Sequence, residues 1–173
     1  MDLFRAMICT CSSEYIIDMK ITLGELRMII RESLEYQPLH VGKLYHGTSL
    51  GAAEEIKKSG FSIELLGSKS GAPLPGISTT LDRGIATEHG KWAAKKNKDK
   101  PKVLVIDGGG LKIAPGKLYI DLWNELGSSE KSIQNIKDSD EWDGVALFDP
   151  ETGDGIEEQE ILLFQPPGVE RIK

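Results

Sequence analysis

The stretch KLYHGTSLGAAEEIKKSG, residues 43–60, decides the fold because it joins a strand pattern directly to a helix pattern. Residues 42–47 are predicted to form a strand, and residues 50–59 a helix that a hydroxyl side chain can cap. Gly60 is predicted to end this helix, since a glycine readily adopts the backbone angles that follow a last helical turn. The stretch therefore predicts a strand–helix unit with almost no loop between its two elements.

His46 lies in this predicted strand, directly before Gly47. A glycine after a strand histidine allows a ligand to approach the backbone and to reach its N–H and C=O groups. The histidine is therefore either a packed core residue or one that faces a ligand. The residues alone leave both interpretations open.

The chain has 173 residues, of which 39% are hydrophobic and 28% charged, which favours one soluble domain with a substantial core. No apolar run approaches the roughly 20 residues of a membrane helix, and the N-terminus lacks the pattern of a signal peptide. We therefore expect a cytoplasmic protein without a membrane partner, and delivery as an effector stays open. The N-terminal Cys9 and Cys11 are expected to be free thiols, because a single C-x-C is a weak metal signal.

A net charge of −6 argues against a general polyanion-binding surface. Lysines nevertheless cluster between residues 91 and 102, a pattern typical of a solvated helix end. A phosphate-bearing partner would be sought there first. The cluster consists of Lys91, Lys95, Lys96, Lys98, Lys100 and Lys102.

The domain organisation follows from periodicity. Residues 1–19 are expected to be a loose segment, residues 20–37 an amphipathic helix, and residues 38–173 the main domain. Further helices are predicted after Asp82 and over residues 128–137. Strands are predicted over residues 103–106 (a central strand), 111–113, 118–120, 144–148 and 158–165, and a short strand or turn over residues 76–81. This pattern favours an α+β fold over alternating β-α units.

Two more stretches carry chemical side chains. GISTT, residues 76–80, places hydroxyl groups at the end of a short strand. IEEQEILLF, residues 156–164, places Glu158 and Glu160 on the same face of a strand, because side chains alternate between faces.

These stretches resemble the motifs of the ADP-ribosyltransferases, the fold shared by NAD-consuming bacterial toxins and poly-ADP-ribose polymerases. LYHGTS followed by GAAEEIKKSGF resembles the first motif, GISTTLDRGIATEHG the second, and IEEQEILLF the third. They occur in the family's order over about residues 43–165. The resemblance implies a split β-sheet core with a few flanking helices, and NAD as co-substrate without a metal.

The resemblance also implies roles for individual residues. Glu160 would stabilise the positive charge that develops on the ribose, Glu158 would orient or deprotonate the acceptor, and Ser78 would brace Glu160. The motif set is a hybrid of two branches of the family. The branch that has a histidine at the position of His46 has a tyrosine where this chain has Ser78, and the branch with the serine–threonine motif has an arginine where this chain has His46. The implied NAD-binding residues are Tyr45, His46, Gly47, Thr48, Ser78, Thr79, Thr80 and His89.

The activity that the resemblance implies is a toxin-like mono-ADP-ribosyltransferase, a glycosyl- or nucleotidyl-transferring enzyme. Its acceptor would be a macromolecule, a protein rather than a nucleic acid, modified at an arginine or a similar nitrogen group. Two alternatives stay open: an NAD glycohydrolase, and a catalytically silent module that binds NAD or ADP-ribose.

Overall fold

The computed structural model describes residues 36–62, 76–148 and 159–173. The predicted loose segment 1–19 lies outside the described residues, as does the predicted helix 20–37 apart from its last two residues. In the described part of the chain, no helix is both long and apolar enough to cross a bilayer.

The described residues form a mixed sheet with helices. Its strands are β1 Lys43–Ser49, β2 Ile77–Thr80, β3 Pro101–Asp107, β4 Ile113–Ala114, β5 Gly144–Ala146 and β6 Glu160–Leu163. The strand order is β3–β1–β2–β6–β5–β4, with β4 and β5 parallel and the other pairs antiparallel. The helices are α1 Leu50–Ser59, α2 Arg83–Asn97, α3 Gly116–Leu126 and α4 Ser129–Asp138, and a 3-10 turn spans Val169–Arg171. The predicted α+β class is confirmed.

Two helix boundaries follow the local sequence signals. Helix α1 ends at Gly60, whose φ of 81° favours glycine and whose N–H bonds the Ile56 carbonyl at 2.8 Å. Helix α2 begins after Asp82, whose carboxylate accepts hydrogen bonds from the backbone N–H groups of Gly84 and Ile85. Both predicted ends are therefore confirmed.

Replacing the Asp82 cap tests its contribution to stability. Asp82→Ala is expected to lower the free energy of unfolding by about 1 kcal/mol, because two N–H groups of the first turn of α2 lose their acceptor. Asp82→Asn keeps a capping oxygen and is expected to cost much less. Urea denaturation of both variants measures the difference, and equal losses would contradict a capping role.

One predicted strand is a helix, and another strand is present but lies elsewhere in the sheet than predicted. Residues 118–120, predicted as a strand, lie within α3, where Tyr119 is fully buried against α4 and β5. The apolar triplet is too short to distinguish a strand period from a helix period. The predicted central strand over residues 103–106 is β3, which lies at the edge of the sheet. It is apolar because α1 and α2 pack against it, and Lys173 pairs with its outer edge through the backbone of Val105.

The two faces of the sheet carry different helices. On one face, Leu44, Ile77 and Ile161 belong to one core, while Leu104 packs against α1. The other face contacts α2 over β1 and β3, and contacts α3 and α4 over β5. Strands β2 and β6 lie in the middle of the sheet, where α2 contacts β2 and Leu162 of β6 shares a core with α3 and α4. The candidate site is built on these two strands.

Candidate functional site

The three stretches singled out in the sequence lie on three neighbouring strands. Tyr45 of β1 pairs with Thr80 of β2, and Thr80 pairs with Glu160 of β6. Side chains directly opposite each other in an antiparallel pair share a face, with Cβ atoms about 4.5–5.5 Å apart. Tyr45, Thr80 and Glu160 therefore form a row across one face of the sheet.

Glu160 is the first residue of β6 and is partly exposed. Its backbone carbonyl accepts a hydrogen bond from the N–H of Leu147 at 2.9 Å, which anchors the strand at this point. Gln159, just before it, has a left-handed backbone with φ of 47°. Within the described part of the chain, the Glu160 carboxylate makes no hydrogen bond or ion pair. A carboxylate on a rigid strand is thus available to a ligand.

The hydroxyl cluster of β2 divides between the two faces. Ser78 pairs with Leu162, so it lies on the Glu160 face but two positions away from Thr80. The Thr79 hydroxyl donates to the Ile161 carbonyl at 2.8 Å, and Thr80 Oγ1 accepts from the Asp82 N–H at 3.1 Å. The last two hydroxyls therefore help to hold β2 against β6 and the start of α2.

His46 follows Tyr45 and therefore projects from the opposite face of β1. Its ring packs edge-on against Phe61, with centroids 5.1 Å apart and an interplanar angle of 85°. Its Nδ1 lies 2.8 Å from the backbone carbonyl of Ser78. The Ser78 carbonyl of β2 is therefore bonded by the His46 side chain and not by a backbone N–H of β1. The two strands part just beyond the Tyr45–Thr80 pair, and the imidazole lies where they separate.

Burial lowers the pKa of His46 below its ordinary value, and the nearby His89 acts in the same direction, while the bond to Ser78 opposes the change. The ring is therefore neutral near pH 7. Since a carbonyl can only accept, Nδ1 carries the proton, and Nε2 is left as an acceptor. A neutral His46 can thus accept a hydrogen bond from a ligand hydroxyl through Nε2.

The lowered pKa of His46 predicts a pH dependence of stability. Below the ordinary value of 6.5 the unfolded state binds more protons than the folded state, so the free energy of unfolding falls with falling pH. One such group contributes a slope of at most about 1.4 kcal/mol per pH unit. His46→Asn keeps a donor for Ser78 but does not titrate, so its profile between pH 5 and 7 is expected to be flatter in urea denaturation. The exposed His40→Asn is the control, and identical slopes for all three proteins would contradict the prediction.

Gly47 has a packing role that the sequence did not reveal. A Cβ atom at this position would collide with the Ala86 carbonyl oxygen and lie 2.6 Å from the Gly90 nitrogen, both in the backbone of α2. The glycine therefore lets α2 lie directly on β1. Thr48, beside it, is buried, and His89 is a partly buried residue of α2.

Two residues of the site environment were missed or given another role. Thr80, not Ser78, lies opposite Glu160, and only the strand register shows this. Phe61 packs against the His46 ring. Its position directly after Gly60 could have indicated a packed residue, because an apolar side chain that follows a helix-ending glycine commonly contacts the helix. Glu158 lies outside the described residues. Across those residues, no group of three His, Cys, Asp or Glu side chains could hold a metal ion.

Comparisons with protein-family models, curated proteins and solved structures found no match to this chain.

Proposed function

We propose that this protein is an NAD-dependent mono-ADP-ribosyltransferase with an ADP-ribosyltransferase-like split-sheet core. One observation carries the proposal: the three stretches that resemble the family's motifs, far apart in the chain, lie on the adjacent strands β1, β2 and β6. A single residue pair, Tyr45 with Thr80, is registered between β1 and β2. The strands part beyond it, beside a neutral histidine and an accessible carboxylate.

The proposed chemistry is cleavage of the bond between nicotinamide and ribose in NAD. Nicotinamide leaves with the bonding electron pair, and positive charge develops on the ribose as in glycoside chemistry. The Glu160 carboxylate stabilises this charge because it is preorganised at the head of β6. Thr80, directly opposite, and Ser78 limit the orientations that the carboxylate can take.

The remaining residues hold NAD. His46 accepts a ribose hydroxyl at Nε2, and the Gly47 backbone bonds the nicotinamide carboxamide. Tyr45, in the row with Glu160, offers an aromatic face to the nicotinamide ring. His89 lies near enough to lower the pKa of His46 and completes the NAD-binding set. Thr48, Thr79 and Thr80 are buried and support the strands behind the site.

The acceptor is proposed to be a nitrogen group of a macromolecule, such as a protein arginine, which Glu158 deprotonates as it attacks the ribose carbon. Incubation with NAD labelled in the adenylate phosphate tests this. Nicotinamide release measured by chromatography and label incorporated into a cell lysate are expected to rise together. Nicotinamide release without a labelled macromolecule would indicate that the protein is an NAD glycohydrolase and not a transferase. Binding without release would indicate a silent module, and neither binding nor release would overturn the proposal.

A further inference from the structure

The most exposed large apolar side chain in the described part of the chain is Trp92, on α2. Its exposed fraction is 58%, against 43% for Trp123 on α3. The Lys96 ammonium lies 5.4 Å from the centroid of the Trp92 ring. Positions 92 and 96 are one helical turn apart, so the aromatic ring and the cation form one patch on the outer side of α2.

This patch lies in the basic part of an acidic protein. Residues 91–102 carry six lysines and one acidic side chain, so the net charge of −6 divides into about +5 here and −11 elsewhere. The Asp99 carboxylate bonds the backbone N–H of Gly51 at 2.7 Å, and Lys91 bonds Glu88 at 2.7 Å. Lys95 and Lys96, three and four positions after Trp92 on the same side of α2, are exposed, and we call these three residues the α2 outer face.

We propose that the α2 outer face binds single-stranded nucleic acid. Bases stack on exposed aromatic rings whatever their sequence, and lysines beside the ring neutralise backbone phosphates. Lysines in a last helical turn also interact favourably with the helix dipole, which accounts for Lys95 and Lys96 but not for the exposed Trp92. An acidic protein segment would use the lysines and leave the indole ring without a partner. The combination of a stacking ring with cations is what favours a nucleic acid.

The outer face adjoins the candidate site, since His89 lies one turn before Trp92 on the same side of α2. The proposal does not depend on NAD chemistry. Failure of nicotinamide release would leave it intact, and failure of oligonucleotide binding would leave the transferase proposal intact.

The probe is a fluorescein-labelled oligomer of 20 thymidylates, followed by anisotropy at 50 and 200 mM salt. We expect saturable binding in roughly the 1–100 µM range that weakens with salt. Trp92→Ala is expected to weaken binding about tenfold, and Trp92→Phe much less, because a phenyl ring still stacks. Trp123→Ala, which removes the exposed tryptophan of α3, is the matched control and is expected to change affinity less than twofold.

A second pair of variants distinguishes the effect of the lysines beside Trp92 on binding from the effect of the net charge of the protein. Lys95→Glu with Lys96→Glu is expected to weaken binding more than tenfold, whereas Lys57→Glu with Lys58→Glu, in the last turn of α1, makes the same charge change with little effect. Circular dichroism checks that each variant is folded. No saturation below 1 mM at the lower salt, equal effects of the two tryptophan variants, or equal binding of polyglutamate would overturn the proposal.

Discussion

Glu160→Gln is expected to lower the rate of nicotinamide release at saturating NAD by about 10²–10³-fold. The amide keeps the size of the side chain but removes the negative charge that opposes the developing positive charge on the ribose. The fold is expected to tolerate the change, because the carboxylate bonds no described residue and the backbone of β6 is held by its pairing with Thr80 and Leu147. Chromatographic measurement of nicotinamide gives the rate, and calorimetry gives the affinity for NAD.

The affinity is expected to stay within a few-fold of wild type, since the loss concerns the transition state more than bound NAD. Glu55→Gln is the matched control, because it makes the same chemical change on α1, an exposed helix of the opposite face. Equal release by wild type and Glu160→Gln would show that this carboxylate has no catalytic role. A loss of NAD binding as large as the loss of rate would assign Glu160 to ground-state binding instead.

Local signals were enough to predict much of this fold. The cap of α2 at Asp82 and the end of α1 at Gly60 both depend on a few residues next to one another in the chain, whereas the predicted hydroxyl cap at the start of α1 does not form. Whether a strand lies at the edge or in the centre of a sheet is not encoded in neighbouring residues in this way. Strand β3 is apolar because helices and the C-terminal residues cover it, so its sequence matches that of a central strand.

The sequence could indicate which strands carry the residues of the candidate site, but not which of these side chains share a face of the sheet. The three stretches predicted to carry the chemistry lie on the neighbouring strands β1, β2 and β6, and their chemical role stays a prediction. Register decides which side chains meet, because a shift of one residue moves every side chain to the other face. It places Thr80 opposite Glu160 and sends His46 to the other side, toward Phe61. No residue of the single sequence reports that register.

Gly47→Ala is expected to destabilise the protein more than any other variant considered, by about 3 kcal/mol. The added methyl group would meet backbone atoms of α2, the Ala86 carbonyl oxygen and the Gly90 nitrogen, and these cannot move aside as the end of a flexible side chain can. Overpacking of this kind typically costs 1–3 kcal/mol and occasionally more. For a chain of this size, the loss corresponds to a fall of roughly 6–12 °C in Tm. Urea and thermal denaturation without NAD measure it.

Gly42→Ala is the matched control, because nothing lies within 4 Å of a Cβ added at that position. Its effect is expected to stay within about 0.5 kcal/mol. The loss of stability in Gly90→Ala is expected to lie between those of the other two variants. Its Cβ would lie 3.0 Å from the Lys102 carbonyl oxygen, which destabilises, but alanine has a higher helix propensity than glycine, which stabilises. If Gly47→Ala is as stable as Gly42→Ala but no longer binds NAD, then the glycine serves ligand approach and not helix packing. A large loss of stability without NAD shows that the glycine after His46 is needed first to seat α2 on β1.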